Sequence, residues 1–333
     1  IRKKERLSNM RVHANDGISA PAQEQLLEEG FTITTNFVPQ EQLVAFMNDE
    51  KVDALLVRSA TKVRKDLIDA CPGLKLIGRG GVGMDNIDVA YAREKGLRVI
   101  NTPASSSISV AELVMAHLYS LMRDLHKANR RMPTEGATAF KEMKKEYGNG
   151  AELRGKTLGI IGFGRIGKWV ARYAIGNGMK VVYTDNSSTV DHLEIPFNGD
   201  TVRVGIKMLP LEELLEQSDV ITLHVPAKKD GSAVLGPEQF AKMKPGVIIL
   251  NTARGNSVDE DSLIAAMKSG KVKAAGLDVF NNEPTPRADI LGLPNVSLSP
   301  HIGAATGEAQ ERIGGELVEL LMAWRDEVTV GRG

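Results

Sequence analysis

The run Gly162-Phe-Gly164-Arg-Ile-Gly167 places glycines where a phosphate-binding turn needs them. The first permits a tight turn, the second lets backbone approach a pyrophosphate, and the third lets a helix pack close to a strand. An apolar run at 158–161 leads into it, and Ile166, Val170 and Tyr173 continue as one helical face. Asp185 ends the next strand-like run. Its carboxylate suits the ribose hydroxyls of an adenosine and would repel a 2′-phosphate, while Asn186-Ser187-Ser188 offers no arginine to hold one. The chemistry implied is dinucleotide binding, with NAD favoured over NADP.

Four more stretches carry chemistry-bearing residues in order: Gly80-Gly-Val-Gly-Met-Asp-Asn-Ile-Asp88, Asn251-Thr-Ala-Arg-Gly255, Leu277-Asp-Val-Phe-Asn-Asn-Glu-Pro284 and Ser299-Pro-His-Ile-Gly303. With a dinucleotide motif in mid-chain, they make the chain resemble the D-2-hydroxyacid dehydrogenases, and among them the phosphoglycerate dehydrogenases, from about Met10 to Trp324. The resemblance implies Arg254, Glu283 and His301 as the catalytic trio. Oxidising a secondary alcohol removes a hydride from carbon and a proton from oxygen. An imidazole titrating near neutrality can take that proton and return it. A carboxylate on its other nitrogen fixes the tautomer and favours the imidazolium. The planar fork of an arginine matches the carboxylate or carbonyl of a 2-hydroxy acid.

For the cofactor, the resemblance implies Arg165 and Ile166 along the pyrophosphate and His224, Val225 and Pro226 beside the nucleotide. Thr252 and Ala253 would lie under the nicotinamide, Asp278 near its carboxamide, and Gly303 and Ala304 beside it. For the substrate, Gly81, Val82 and Gly83 would offer backbone N–H groups to its carboxylate, and Arg58 would meet a phosphate. The expected reaction is NAD-dependent oxidation of D-3-phosphoglycerate to 3-phosphohydroxypyruvate, the first step of serine synthesis. A glyoxylate or hydroxypyruvate reductase of the same family stays open, as does a non-enzymatic NAD-sensing corepressor. The remaining histidines, His13, His117, His126, His192 and His224, read as core or surface residues. No spacing suggests a metal site.

These residues need elements to hold them. In the first third, Arg11–Ala14, 31–34, Ala54–Val57, 76–78 and 98–100 read as strands, with helices at 40–48, 64–70 and 88–95. A long helix follows, with Ser109 and Glu112 spaced as a capping box. Residues 129–150 read as a polar loop or arm. A second strand series covers 158–161, Lys180–Thr184, 220–224, 247–250, 274–277 and 296–298, and 307–325 reads as a terminal helix. The 196–209 segment looks longer than the family pattern. Alternation of this kind predicts an α/β protein with two doubly wound parallel-sheet domains. A Rossmann-type NAD domain, 106–303, would be inserted into a flavodoxin-like substrate domain made of 1–105 and 304–333. The crossings near 103–107 and 301–305 would act as hinges.

Composition narrows the class. With 42 Lys+Arg against 42 Asp+Glu, nothing favours nucleic acid or an anionic membrane as partner. A single cysteine, Cys71, rules out an internal disulfide and fits a reducing, cytoplasmic setting. The expected partners are a small, phosphorylated 2-hydroxy acid and a second copy of the chain. Residues 1–9 read as a leader or expression remnant preceding Met10.

Overall fold

The computed structural model describes residues 10–330, so the reading of 1–9 lies outside the described residues. The chain divides into two compact units: residues up to 106 with those from 304 onward, and residues 107–303.

Strands that are apolar on both faces are stable only in a parallel sheet covered on both sides. In the first unit, β1 (Arg11–Ala14), β2 (Thr32–Thr34), β3 (Ala54–Val57), β4 (Leu76–Arg79) and β5 (Arg98–Asn101) pair in parallel in the order β2-β1-β3-β4-β5. That is the flavodoxin-like order, and β3 is buried at every position. The Gly307–Val330 helix belongs to this unit and packs Ile313, Leu317, Leu321 and Trp324 among Val12, Leu26 and Leu56. The Ala20–Glu28 helix escaped the sequence reading because only Ala22 and Leu26 are buried, too few for a clear period.

The second unit holds β6 (Thr157–Ile161), β7 (Lys180–Thr184), β8 (His192–Phe197), β9 (Asp200–Gly205), β10 (Lys207–Met208), β11 (Val220–Leu223), β12 (Val247–Asn251), β13 (Val272–Leu277) and β14 (Val296–Leu298). Seven of them form one sheet, β10-β7-β6-β11-β12-β13-β14, in which every pair is parallel. This is the Rossmann order with one strand added. Alternate side chains enter two cores. Ile160, Val220, Ile248 and Leu250 join one, and Ile161, Ile221, Ile249 and Leu277 join the other.

Three local readings need correction. The long helix begins at Ser107, so Ser109 lies inside it and is buried, and Glu112 accepts from the Tyr173 hydroxyl instead of capping. Residues 129–150 are not a loop: helices Leu125–Glu135 and Phe140–Glu146 occupy most of the segment. The first of these buries no residue, which is why no apolar period announced it. The long 196–209 segment completes the antiparallel β8–β9 hairpin and supplies β10 to the sheet edge.

Candidate active site

The register of the large sheet sets the site. Ile161 pairs with Leu223, Leu223 with Asn251, Asn251 with Leu277, and Leu277 with Leu298. The residues that follow, Gly162, His224, Thr252, Asp278 and Ser299, therefore stand in a row at the carboxyl ends of adjacent strands. Ligands gather at that edge in doubly wound sheets. Backbone bonds extend the ladder one step further, from His224 N to Ile161 O, Asp278 N to Asn251 O and Ser299 N to Leu277 O.

At the β6 end, Gly162 has φ 95° and lies against the carbonyl of His224, while Gly167 lies against the carbonyl of Gly162. No side chain fits at either position. Gly164 faces open space and starts the Arg165–Gly176 helix, whose first turn has no acidic residue and no side-chain cap. The free N–H groups and positive end of such a helix attract phosphate. Arg165 is exposed and Ile166 half-buried beside them. Asp185 accepts from Phe163 N at 2.6 Å through Oδ2, and from Ser187 N, Ser187 Oγ and Ser188 N through Oδ1. Burial pushes its carboxyl up, but these donors outweigh it and hold it below the ordinary value. Oδ2, with one donor, keeps a lone pair for a hydroxyl.

Further along the edge, buried polar atoms lack partners. Among the described residues His224 Nδ1 and Thr252 Oγ1 make no hydrogen bond, and desolvation pulls His224 down to about 3, so its ring is neutral. Val225 is half-buried and Pro226 exposed beside it, and Ala253 is buried. Asn251 is 1% exposed and pins the turn after β12: its Nδ2 donates to Arg254 O at 2.8 Å and its Oδ1 accepts from Ala253 N at 3.1 Å. Arg254 Nη1 donates to Ala253 O at 2.7 Å. Gly255 then lies directly on the backbone of Phe280 and Asn281, which brings the Arg254 loop against the loop carrying Glu283. Buried Glu260 joins the same contact by accepting from Asn281 N.

Glu283 and His301 meet. His301 Nδ1 lies 2.7 Å from Glu283 Oε2, and Glu283 Oε1 accepts from Phe280 N at 2.9 Å. Both side chains are partly exposed, 49% for the histidine and 35% for the glutamate. Among the described residues Nε2 of His301 makes no hydrogen bond, so the ring can exchange a proton there. Asp278 is 1% exposed; its oxygens accept from Ser299 Oγ, Ile302 N and Gly303 N. One of roughly four lone-pair sites is left for the carboxamide that the resemblance assigned to it. Its larger task is to anchor the loop on which His301 sits. Gly303 is buried over that carboxylate, and Ala304 begins the return to the first unit.

In the first unit, Arg58 follows β3 on a tightly tied loop. Asp16 accepts from Arg58 N, Thr61 N and Thr61 Oγ1, and Asn86 Nδ2 donates to the carbonyls of Arg58 and Thr61. The Arg58 guanidinium itself has no partner among the described residues. Gly81 is at φ 142°, with the Arg79 guanidinium lying where a side chain would be. The carbonyls of Gly81 and Val82 are held by Thr102 N and Asn101 Nδ2, and Gly83 follows half-buried. Sequence reading quoted Asn251 and Gly255 in a family-marking stretch without giving them a role, and missed Glu260 and Asp16. A polar residue closing an apolar run, as in Val247–Asn251, was the available signal for the role of Asn251.

Comparison with known proteins gives the class. Residues 115–303 match the family described as D-isomer specific 2-hydroxyacid dehydrogenase, NAD binding domain. The hydroxypyruvate reductase of Thermotoga maritima is 43% identical over 317 residues, which cover 94% of this chain and 97% of that protein. The D-3-phosphoglycerate dehydrogenase of Archaeoglobus fulgidus is 39% identical over 307 residues, covering 92% of this chain and 55% of that protein. The chain thus spans about half the length of the phosphoglycerate dehydrogenases it matches. Among solved structures, the D-lactate dehydrogenase of Aquifex aeolicus complexed with NAD and lactic acid gives a TM-score of 0.75 at 32% identity, covering 95% of this chain and 96% of that one. The chain belongs to the D-isomer-specific 2-hydroxyacid dehydrogenases, a family of NAD-dependent oxidoreductases.

The residues fit NAD. The bare surface over Gly164, the uncapped helix start, the spare lone pair on Asp185 and the orphaned Thr252 hydroxyl are each complementary to one part of a dinucleotide. Among the described residues, no group of three or more His, Cys, Asp or Glu could hold a metal ion. Nor is any described helix long and apolar enough to cross a membrane.

Proposed function

We propose that this protein interconverts a D-2-hydroxy acid and its 2-oxo acid, with D-3-phosphoglycerate as substrate. The observation that carries the reaction type is the His301–Glu283 pair, held on the loops that follow Ser299 and Asp278 of the strand-end row. NAD, when bound, accepts or supplies the hydride. His301 removes the hydroxyl proton through Nε2 during oxidation and returns it during reduction. Glu283 holds Nδ1, keeping the tautomer that leaves Nε2 ready and stabilising the imidazolium. Arg254 binds the substrate carboxylate and its reacting oxygen. Residues 106–303 serve as the cofactor domain, and 1–105 with 304–333 as the substrate domain. There the backbone of Gly81, Val82 and Gly83 takes the carboxylate.

The choice of a phosphorylated acid rests on Arg58. Its loop is fixed by Asp16 and Asn86 while its guanidinium is left uncommitted, which suits a dianionic group. A second reading, hydroxypyruvate reduction, is favoured by the Thermotoga relative, which this chain matches along 97% of that protein's length. We further propose a homodimer in which the arm helices meet a second copy.

A panel of D- and L-2-hydroxy acids and their 2-oxo acids, with and without phosphate, followed by NADH absorbance, tests the assignment. D-3-phosphoglycerate should have the highest kcat/KM, and Arg58→Ala should remove that preference. A higher kcat/KM for hydroxypyruvate than for its phosphorylated analogue overturns the phosphate assignment. His301→Asn should lower kcat by about 10²–10⁴-fold, the usual contribution of a general acid–base.

A further inference from the structure

Behind the loop that carries His301 runs a partly buried chain of hydrogen bonds. Ser299 Oγ donates to Asp278 Oδ1 at 2.6 Å, and Asp278 accepts from Ile302 N and Gly303 N, each at 2.8 Å. Those two N–H groups directly follow His301, whose φ of 55° is a left-handed conformation that a β-carbon disfavours. Such a residue keeps its conformation only if its surroundings impose it.

The chain continues to His117 on the Ser107–Met122 helix. Its Nε2 lies 2.9 Å from Ser299 Oγ and its Nδ1 2.8 Å from Ser297 Oγ. Since the Ser299 proton is given to Asp278, Nε2 must be the donor to Ser299. In the neutral ring Nδ1 is then the acceptor, and the Ser297 hydroxyl can donate to it. One tautomer satisfies every partner. The imidazole is 5% exposed. Burial, with a smaller contribution from nearby His126, keeps it below its ordinary value against the pull of Asp278. Gly276 makes the crossing possible, since a side chain on β13 there would press on Leu250 and on His117 Cβ.

We propose that His117 is a positioning residue for the dehydrogenase reaction. Through Ser299 and Asp278 it fixes the 301–303 backbone, so that His301 stays against Glu283. This rests on the reading of His301 as the proton-transfer group.

The test compares wild type, His117→Leu, His117→Gln and Ser299→Ala, each with and without His301→Asn. Turnover, NADH affinity by fluorescence and Tm are read for each, using the best acid of the panel. His117→Leu and Ser299→Ala should lower kcat about tenfold to a hundredfold, the scale of a small misplacement of a catalytic group. NADH affinity should stay within about threefold, since none of the three residues belongs to the phosphate or ribose sites. His117→Gln, whose amide can donate to Ser299, should recover most of the turnover. On the His301→Asn background the same changes should alter residual kcat by less than about twofold, because their target is gone. Unchanged kcat in His117→Leu, or an equal loss with and without His301, overturns the proposal. If His117→Leu does not fold, Ser299→Ala decides by the same criteria, since it leaves the imidazole in place. Wild-type turnover in His301→Asn alone refutes the catalytic reading, and the positioning role with it.

Discussion

Single residues carry both the reaction and its cofactor choice. In the proposed reaction His301 is able to act because its neighbours have divided the work. Glu283 takes one ring nitrogen, and Asp278 holds the backbone on the other side. Asp185 divides its oxygens in a similar way, with three donors on Oδ1 and one on Oδ2. Kept charged by those donors, it would repel a 2′-phosphate. Asp185→Ser should therefore raise the NADP-to-NAD ratio of kcat/KM by about tenfold or more, equivalent to about 1.4 kcal/mol. Steady-state kinetics with both cofactors check this; an unchanged ratio would place discrimination elsewhere. The spacing of Asp185 from the glycine turn was readable from the chain alone. That its carboxylate also ties down Phe163 N was not, because that bond joins two strand ends.

At the scale of elements, loops following adjacent parallel strands are held together by close backbone packing. Gly255 is the tightest such contact, seated on the Phe280–Asn281 peptide. Gly255→Ala has to push the Arg254 and Glu283 loops apart, and overpacking of this kind costs roughly 1–3 kcal/mol. Both Tm and kcat are expected to fall. Loss of stability without loss of turnover would show that the loop spacing is not critical for the chemistry. The strands were legible because their apolar runs alternate with helical segments. The two arm helices and the β8–β9 hairpin were not: helix Leu125–Glu135 buries nothing, and the hairpin is mostly exposed, so neither carries an apolar period.

On the scale of the whole molecule, the arm is the open question of surface. Leu125 is 59% exposed, Met132 44% and Phe140 57%; the first helix buries no residue and the second only Met143. Under the proposed homodimer a second copy would cover them, since large exposed apolar side chains can mark association sites. Sedimentation should give twice the chain mass of 36.0 kDa, and Met132→Glu should shift the equilibrium toward monomer. A monomeric wild type at micromolar concentration would remove the dimer from the description.

The sequence by itself determined whatever is local along the backbone: the glycine turn, the strand–helix alternation that makes two parallel sheets, and the stretches that mark the family. Tertiary structure decided what depends on register and on contact between distant segments. Gly162, His224, Thr252, Asp278 and Ser299 form a row only because β6, β11, β12, β13 and β14 pair in step. His117, read from the chain as a core residue, touches Ser299, at the start of the loop that carries His301, from a helix 182 positions away in the chain. Hydrogen bonds between such segments leave no periodic trace in the chain, since only the folded backbone brings their atoms within reach.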